Sequence, residues 1–563
     1  MSKIDWIILT CTLLGIIGYG LYKSKTSKNL EGYFLSNRNM PWYLVLLSIM
    51  GTQASAITFL SAPGQAFTDG MRFVQYYFGL PIAMVILCVS FVPLYNKLKV
   101  FTAYEFLEQR FDIKTRVFTS SLFLLSRALS TGISIYAPSI ILSSLMGWDI
   151  FYTNLVMGGL LIIYTVSGGA KAVAYTQQLQ LLIIFGGMFA AGYFIVHHLP
   201  EGVGFSEALE VSGATGKLNV ITTGITDNGF DWKDRYNIIS GVIGGFFLAL
   251  SYFGTDQSQV GRYLTAKDTT ESRLGLLMNG LVKVPMQFAI LLLGALLFTF
   301  YQFKPAPIFF NSAIENTAYK TSYKDSLREV KNTFNDKLLT QQAHAKLFVL
   351  HHQQKYKDSV AIVSKELDGM KKNYKTIIAK AVPGADTNDT NYIFLRFVVD
   401  QLPRGLVGLL IAIIFLAAWG SIAAALNSLA SCTMIDFHKR FQQKTVSEKQ
   451  EYRVSKYYTL GWGIFCIITA ELAGGMGSLI EAVNVLGSLF YGVILGIFLV
   501  AFYWKKIGAN AVFWAAVIGE LAVITLFALD KMEIIGLGFL WLNVAGALIV
   551  VLLSYCFAFL QKE

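Results

Sequence analysis

Hydroxyl and amide oxygens recur along one apolar stretch of this chain, Ala417-Ala-Trp-Gly-Ser421-Ile-Ala-Ala-Ala-Leu-Asn427-Ser428, which closes on Ile435-Asp436. A polar group in hydrocarbon costs free energy unless something pairs with it, so the stripe must face other helices, a cavity or an ion. A second cluster of small and polar residues, Ser48-Ile-Met-Gly51-Thr52-Gln53-Ala-Ser55-Ala-Ile-Thr58, interrupts another apolar run, and a third follows Gly241, Gly244 and Gly245 into Gly254-Thr255-Asp256-Gln257. The chemistry on offer is binding rather than bond-making. An enzyme needs a converging nucleophile, acid/base pair or metal cluster, whereas His197-His198 stands beside a polar loop and His351-His352 in a polar insertion.

The elements that must position these residues are membrane helices. The chain has 563 residues, of which 54% are hydrophobic and only 14% charged, and its mean hydropathy is +0.53; this marks a polytopic membrane protein. Apolar runs long enough to cross about 30 Å of hydrocarbon recur about thirteen times. They cover roughly 5–22, 41–62, 74–95, 117–146, 149–168, 173–198, 236–255, 274–302, 402–436, 454–473, 478–503, 508–529 and 536–560. The five cysteines, Cys11, Cys88, Cys432, Cys466 and Cys556, all fall inside these runs, without CxxC or metal-type spacing, and read as small core residues.

Short basic loops orient the bundle, because Lys and Arg near span ends favour the cytoplasm. Lys23, Lys25, Lys28 and Arg38 follow the first span; Lys97, Lys99, Lys114 and Arg116 the third; Arg262, Lys267 and Arg273 the seventh; His438, Lys439, Arg440, Arg453 and Lys456 the ninth. All fall on one side, which places the N-terminus outside and the C-terminus inside. The net charge of +11 reflects these loops and a basic insertion, so no nucleic-acid partner is expected. That insertion, about Lys304 to Asn391, carries Leu338-Leu339, Leu347-Phe348-Val349-Leu350 and Val360-Ala-Ile-Val363 among charges, which suits an outer helical hairpin.

No repeat is visible as sequence identity, yet the interrupted second and seventh spans lie about five spans apart. This is the spacing of an inverted repeat of five helices, where transporters place substrate and ion sites. The alternative is that small residues simply let helices pack closely.

At this point the motifs resemble the sodium/solute symporter family. Tyr252-Phe-Gly-Thr-Asp256-Gln257-Ser-Gln-Val-Gly-Arg262-Tyr-Leu-Thr-Ala-Lys267 resembles the family's signature after its sixth core helix, Asn427-Ser with Asp436 its eighth, and Tyr164-Thr-Val-Ser-Gly168-Gly169-Ala-Lys-Ala-Val-Ala-Tyr175-Thr its loop between the fourth and fifth. Ala62-Pro63-Gly-Gln-Ala-Phe67, Thr102-Ala-Tyr-Glu-Phe-Leu-Glu-Gln-Arg-Phe111 and Gly132-Ile-Ser-Ile-Tyr-Ala-Pro138 look most like the branch of iodide, multivitamin and monocarboxylate cotransporters. The resemblance implies an all-α fold of the leucine-transporter type, a five-plus-five inverted repeat in which the second to eleventh spans are core helices one to ten. Residues 1–40 then form a first helix and cytoplasmic loop, 41–302 core helices one to seven, 303–391 the extracytoplasmic insertion, 392–503 core helices eight to ten and 504–563 two C-terminal helices. A multi-pass protein of the plasma membrane, or of the inner membrane in a bacterium, is implied, with the lipid bilayer, sodium and a small solute as partners and no cofactor beyond the coupling ion.

The resemblance also implies site residues. Sodium is a hard cation that takes oxygen ligands, and the family's main sodium site would fall on the carbonyls of Gly51 and Ala54, the carbonyl of Ala417 and the hydroxyl of Ser421. Gly420 stands where much of the family has a second hydroxyl, unless water or Thr52 fills the gap. Positions matching a second sodium site are Gln177, Ala423 and Ala424, which offer neither charge nor helix-eight hydroxyl, so one sodium is expected. Positions matching the sugar site of relatives are Gln53, Thr58, Tyr77, Asp256, Lys283 and Asn484; only Asp256 and Lys283 keep its chemistry. Intramembrane Lys283 could meet a sugar hydroxyl, a carboxylate or Asp256, or snorkel. Arg127 could pair with an anionic solute or form a structural ion pair, and Glu471, Glu481 and Glu520 suit span ends. The expected function is sodium-driven uptake of a small organic anion such as a monocarboxylate, with a sugar or polyol symporter as the alternative and a passive channel behind it.

Overall fold

The computed structural model describes residues 1–24, 30–442 and 447–560. Lys25, Lys28 and Gln561–Glu563 lie outside the described residues, as do the side chains of Lys23, Ser167, Gly168, Gly169, Lys171 and Ala172. The protein is mostly helical, at 81%. Among the described residues nine helices are long and apolar enough to cross a membrane, or ten when one bent pair counts as a single span.

In chain order the bundle begins with α1 (Lys3–Ser24), the bent pair α2 (Trp42–Gln53) and α3 (Ala56–Asp69), and α4 (Met71–Leu98). Next come α5 (Ile113–Met146) and α6 (Ile150–His197). A short α7 (Phe205–Ala214) leads to α8 (Ser240–Thr255), α9 (Gln257–Tyr263) and α10 (Thr269–Phe303). After the insertion helices α11 (Lys324–His351) and α12 (Gln354–Ala381) follow α13 (Thr390–Gln401), α14 (Leu406–Phe441), α15 (Glu448–Ala470), α16 (Leu479–Tyr503), α17 (Ala509–Lys531) and α18 (Leu540–Leu560). Aspartates start three of the long helices by accepting from the first turn: Asp112 from Thr115 N, Asp149 from Phe151 N and Asp268 from Glu271 N.

The periphery is apolar, with Val89 at 70% and Phe189 at 76% exposure, as lipid rather than water requires. At the centre lies α14, buried at every residue from Leu410 to Cys432, polar stripe included. The sequence suggests thirteen spans; the difference is physical. The seventh is cut short at Thr255, leaving Ser240–Thr255, and the fifth has only Ile150–Val166 as its apolar part. The tenth, α15, opens on Glu448, Lys449, Glu451 and Arg453 and falls short of the apolarity of a span.

Where a loop is expected between the fifth and sixth runs, α6 is written as one helix. Yet the Tyr164 and Thr176 hydroxyls meet at 2.6 Å. Twelve residues of straight helix would hold them about 18 Å apart, so α6 bends sharply between them. The glycines of the seventh span serve packing and not the interruption. A Cβ at Gly241 would sit 2.3 Å from the Gln75 carbonyl oxygen, and one at Gly245 2.3 Å from that of Tyr76. The break comes at Asp256 (φ −78°, ψ 117°).

The four basic loops meet at one face. Arg38 donates to the carbonyls of Lys99 and Val100, Met40 and Thr265 to Lys267 exchange backbone hydrogen bonds, and Arg440 reaches Glu108. The insertion is a helical hairpin with its own small core of Leu327, Phe334, Leu338, Val363, Leu367, Tyr374 and Ile378. It is pinned at its base by Lys375 on Asp389 at 2.5 Å. Glu520, expected near a span end, instead lies midway along α17 at 6% exposure, with neither carboxylate oxygen hydrogen-bonded.

Candidate sodium and solute site

The site is built where two helices stop and restart. Between α2 and α3 the chain unwinds at Ala54 (φ −83°, ψ 76°) and the extended Ser55, and the axis turns by 60°. A cavity of about 110 Å³ opens beside this break. Thr52, Gln53, Ser55 and Thr58 line it from the broken pair, Tyr76 and Tyr77 from α4, Arg127, Ser130, Thr131 and Ser134 from α5, Ser421 from α14, and Asn484 and Tyr491 from α16. Four of the six residues matched to a solute site, Gln53, Thr58, Tyr77 and Asn484, therefore share one cavity with Ser421. Asn484 is held in place, donating to the Ile480 carbonyl at 2.8 Å and accepting from the Tyr76 hydroxyl at 3.2 Å.

Asp256 and Lys283 do not line this cavity. Asp256 is 1% exposed and its oxygens are fully engaged. One accepts from the Ser258 amide (2.8 Å) and hydroxyl (2.6 Å), which caps α9; the other takes the Tyr491 hydroxyl (2.8 Å) and two bonds from the Arg127 guanidinium. Arg127 forms the structural ion pair open to it, and its side chain, 13% exposed, also lines the cavity. Lys283 is fully buried on α10 with its ammonium unpartnered, 5.6 Å from the centre of the Tyr77 ring. Tyr77 stands between it and the cavity.

Two of the residues matched to the sodium site, Gly51 and Gly420, flank a seam between α2, α6 and α14. Gln177 of α6 fills it: its amide group donates to the Gly420 carbonyl (3.1 Å) and to Thr52 (3.3 Å) and accepts from the Ser48 hydroxyl (3.0 Å). A Cβ at Gly51 would lie 2.8 Å from Gln177 Cβ and Cγ, and one at Gly420 2.6 Å from Gln180 Oε1. Gly420 therefore lacks a side chain because two glutamines occupy the space for one. The Ser421 hydroxyl donates along its own helix to Ala417 and Ala418, at 3.1 and 3.0 Å. Its lone pairs remain free toward the cavity. Gly51→Ala should push Gln177 out of the seam and weaken sodium activation of uptake by about tenfold, a shift of about 1.4 kcal/mol; a sodium titration with unchanged half-saturation would show that the seam is looser than drawn.

Residue reasoning did not find the grip of Gln177 or the Arg127–Asp256–Tyr491 cluster. For the latter a signal existed: two opposite charges stranded in hydrocarbon need each other.

A lipid-facing helical bundle with interrupted helices around a small polar cavity is the architecture of a secondary transporter. The sodium:solute symporter family model matches residues 33–322 and 369–519, and the chain belongs to that family. It is similar to a sodium/sialic acid symporter of Proteus mirabilis, 26% identical over 528 residues, which cover 92% of this chain and 89% of the relative. A rabbit (Oryctolagus cuniculus) sodium-dependent multivitamin transporter is 26% identical over 89% of this chain and 67% of its own length. The human sodium/iodide cotransporter is 28% identical over 53% of this chain and 45% of its own. Among solved structures, the substrate-bound outward-open state of a Na+-coupled sialic acid symporter shares the fold, with a TM-score of 0.76 at 24% identity over 99% of this chain and 98% of that one. The protein is a multi-pass membrane transporter that couples sodium to the movement of a small solute, and not an enzyme.

Proposed function

We propose that the chain brings a small organic anion, such as a monocarboxylate, into the cell together with one sodium ion. The carrying observation is Arg127, the one charged side chain among the described residues lining the cavity. Its guanidinium is shaped for a carboxylate. The hydroxyls of Thr58, Ser130, Thr131 and Ser134 line the same space, so a hydroxylated carboxylate fits as well, and two relatives bear the name sodium/sialic acid symporter. A neutral sugar or polyol fits less well, since Asp256 and Lys283 stand away from the cavity.

Sodium would sit between the carbonyls of Gly51 and Ala54 at the break and the Ala417 carbonyl and Ser421 hydroxyl on α14. Bound there, it holds α14 against the broken pair and favours the shape that receives solute. Coupling follows from that difference in affinity between conformations. The matching breaks at Ala54 and Asp256 support an inverted repeat of five-plus-five helices within thirteen crossings. The gathered basic loops support a cytoplasmic position for that face, with the N-terminus outside.

Proteoliposomes with an imposed inward sodium gradient should accumulate a labelled monocarboxylate or sugar acid uphill, at one sodium per solute. Equilibration without accumulation would mean a channel; a reproducible ratio of two would mean a second ion site.

A further inference from the structure

At the basic face, three consecutive residues are held from both sides. Gln257, the first residue of α9, donates from Nε2 to the Phe101 carbonyl (2.8 Å) and accepts the Ala103 amide on Oε1 (3.0 Å). Between them, the Thr102 hydroxyl donates to Asp436 near the end of α14 (2.7 Å). Asp436 is wholly buried and also takes Arg116 Nε (2.9 Å) and Nη2 (2.6 Å) and the Ser120 hydroxyl (3.1 Å). Tyr104, next along, donates to the Thr255 carbonyl at the end of α8 (2.8 Å). The two stumps of the interrupted helix and the foot of α14 thus grip one short stretch of loop.

We propose that Gln257 is a positioning residue of the transport cycle, and that its grip on Phe101–Ala103 is the latch that keeps the inner side closed. For α9 and α14 to part at this face, the stretch must let go of one of them. On the α14 side it is bonded to a carboxylate that also holds an arginine, and charge-assisted bonds are the stronger kind. On the α8–α9 side the two Gln257 bonds and the Tyr104 bond are neutral, each weaker than a charge-assisted one, and the latch parts there one bond at a time. The residue before Gln257 is Asp256, whose other side holds Arg127 at the cavity. A solute carboxylate that draws Arg127 away disturbs the cap of α9 and with it the grip; this last link rests on the proposed solute reading, while the latch does not.

The chain carries a reporter. Cys432 is wholly buried on α14, one turn before Asp436. In a variant with Cys11, Cys88, Cys466 and Cys556 changed to alanine, the rate at which N-ethylmaleimide modifies Cys432 reads the opening of this face. Gln257→Met keeps length and loses both bonds; it should raise that rate about tenfold and slow maximal uptake, while the sodium-induced rise in melting temperature persists. Unchanged modification with that rise intact overturns the proposal. Should Gln257→Met not fold, Gln257→Asn, which stays neutral and polar but is too short to hold both Phe101 and Ala103, decides in the same way: faster modification supports the latch and an unchanged rate overturns it. Failure of the solute reading shows instead in the uptake of carboxylates and leaves Cys432 modification as it was.

Discussion

Ser421→Ala is expected to raise the sodium concentration for half-maximal uptake about 10- to 150-fold. The serine oxygen borders the cavity beside the α2–α3 break, and its proton is already given to Ala417 and Ala418. The remaining lone pairs are what a hard cation takes. Losing one such contact compares with losing a hydrogen bond to a charged group, about 1.5–3 kcal/mol, and about 1.4 kcal/mol is tenfold in affinity. Folding should barely change, because alanine removes donor and oxygen together and orphans no partner outside the helix. A sodium titration of uptake checks this; an unmoved half-saturation removes Ser421 from the ligand set.

The second large effect concerns Arg127 and Asp256. Arg127→Met leaves a buried carboxylate with its hydroxyl and amide donors but no counter-charge, a loss of about 3–5 kcal/mol. Asp256→Asn should cost less, because the abandoned guanidinium is 13% exposed and borders the cavity, whereas Asp256 is 1% exposed. Together the two changes restore neutrality. The double variant should melt above Arg127→Met while failing to transport a carboxylate. Non-coupling in melting temperature would mean that the pair is not what holds α5 to the break, and uptake surviving in the double variant would remove Arg127 from the solute site.

Much of the fold was legible because hydrocarbon is a strict solvent. Apolar length located the helices, and the polar cluster at Gly51–Ser55 marked a true break. The second break was legible as a region but not as a residue: the glycines drew attention, though Gly241 and Gly245 only let α8 lie against the Gln75 and Tyr76 carbonyls. The candidate site divided in the same way. Gln53, Thr58, Tyr77 and Asn484 meet across four helices, yet nothing local in sequence tells on which side of the Tyr77 ring Lys283 comes to rest. The clamp on Asp436 was beyond reach for a similar reason. Its partners Thr102, Arg116 and Ser120 lie more than 300 residues away, and only packing brings them together.

The Gln177 amide in the seam has an electrical consequence. With a neutral glutamine there and Arg127 cancelled by Asp256, the site lends no charge of its own to its cargo. On the proposed reading, a cargo of one sodium and one carboxylate is together uncharged, as is the empty site. A membrane voltage, worth about 2.3 kcal/mol per elementary charge per 100 mV, then has nothing to pull on in either direction of the cycle. Such a carrier draws only on the sodium concentration ratio, and a tenfold ratio limits it to about tenfold accumulation however strongly the membrane is polarised.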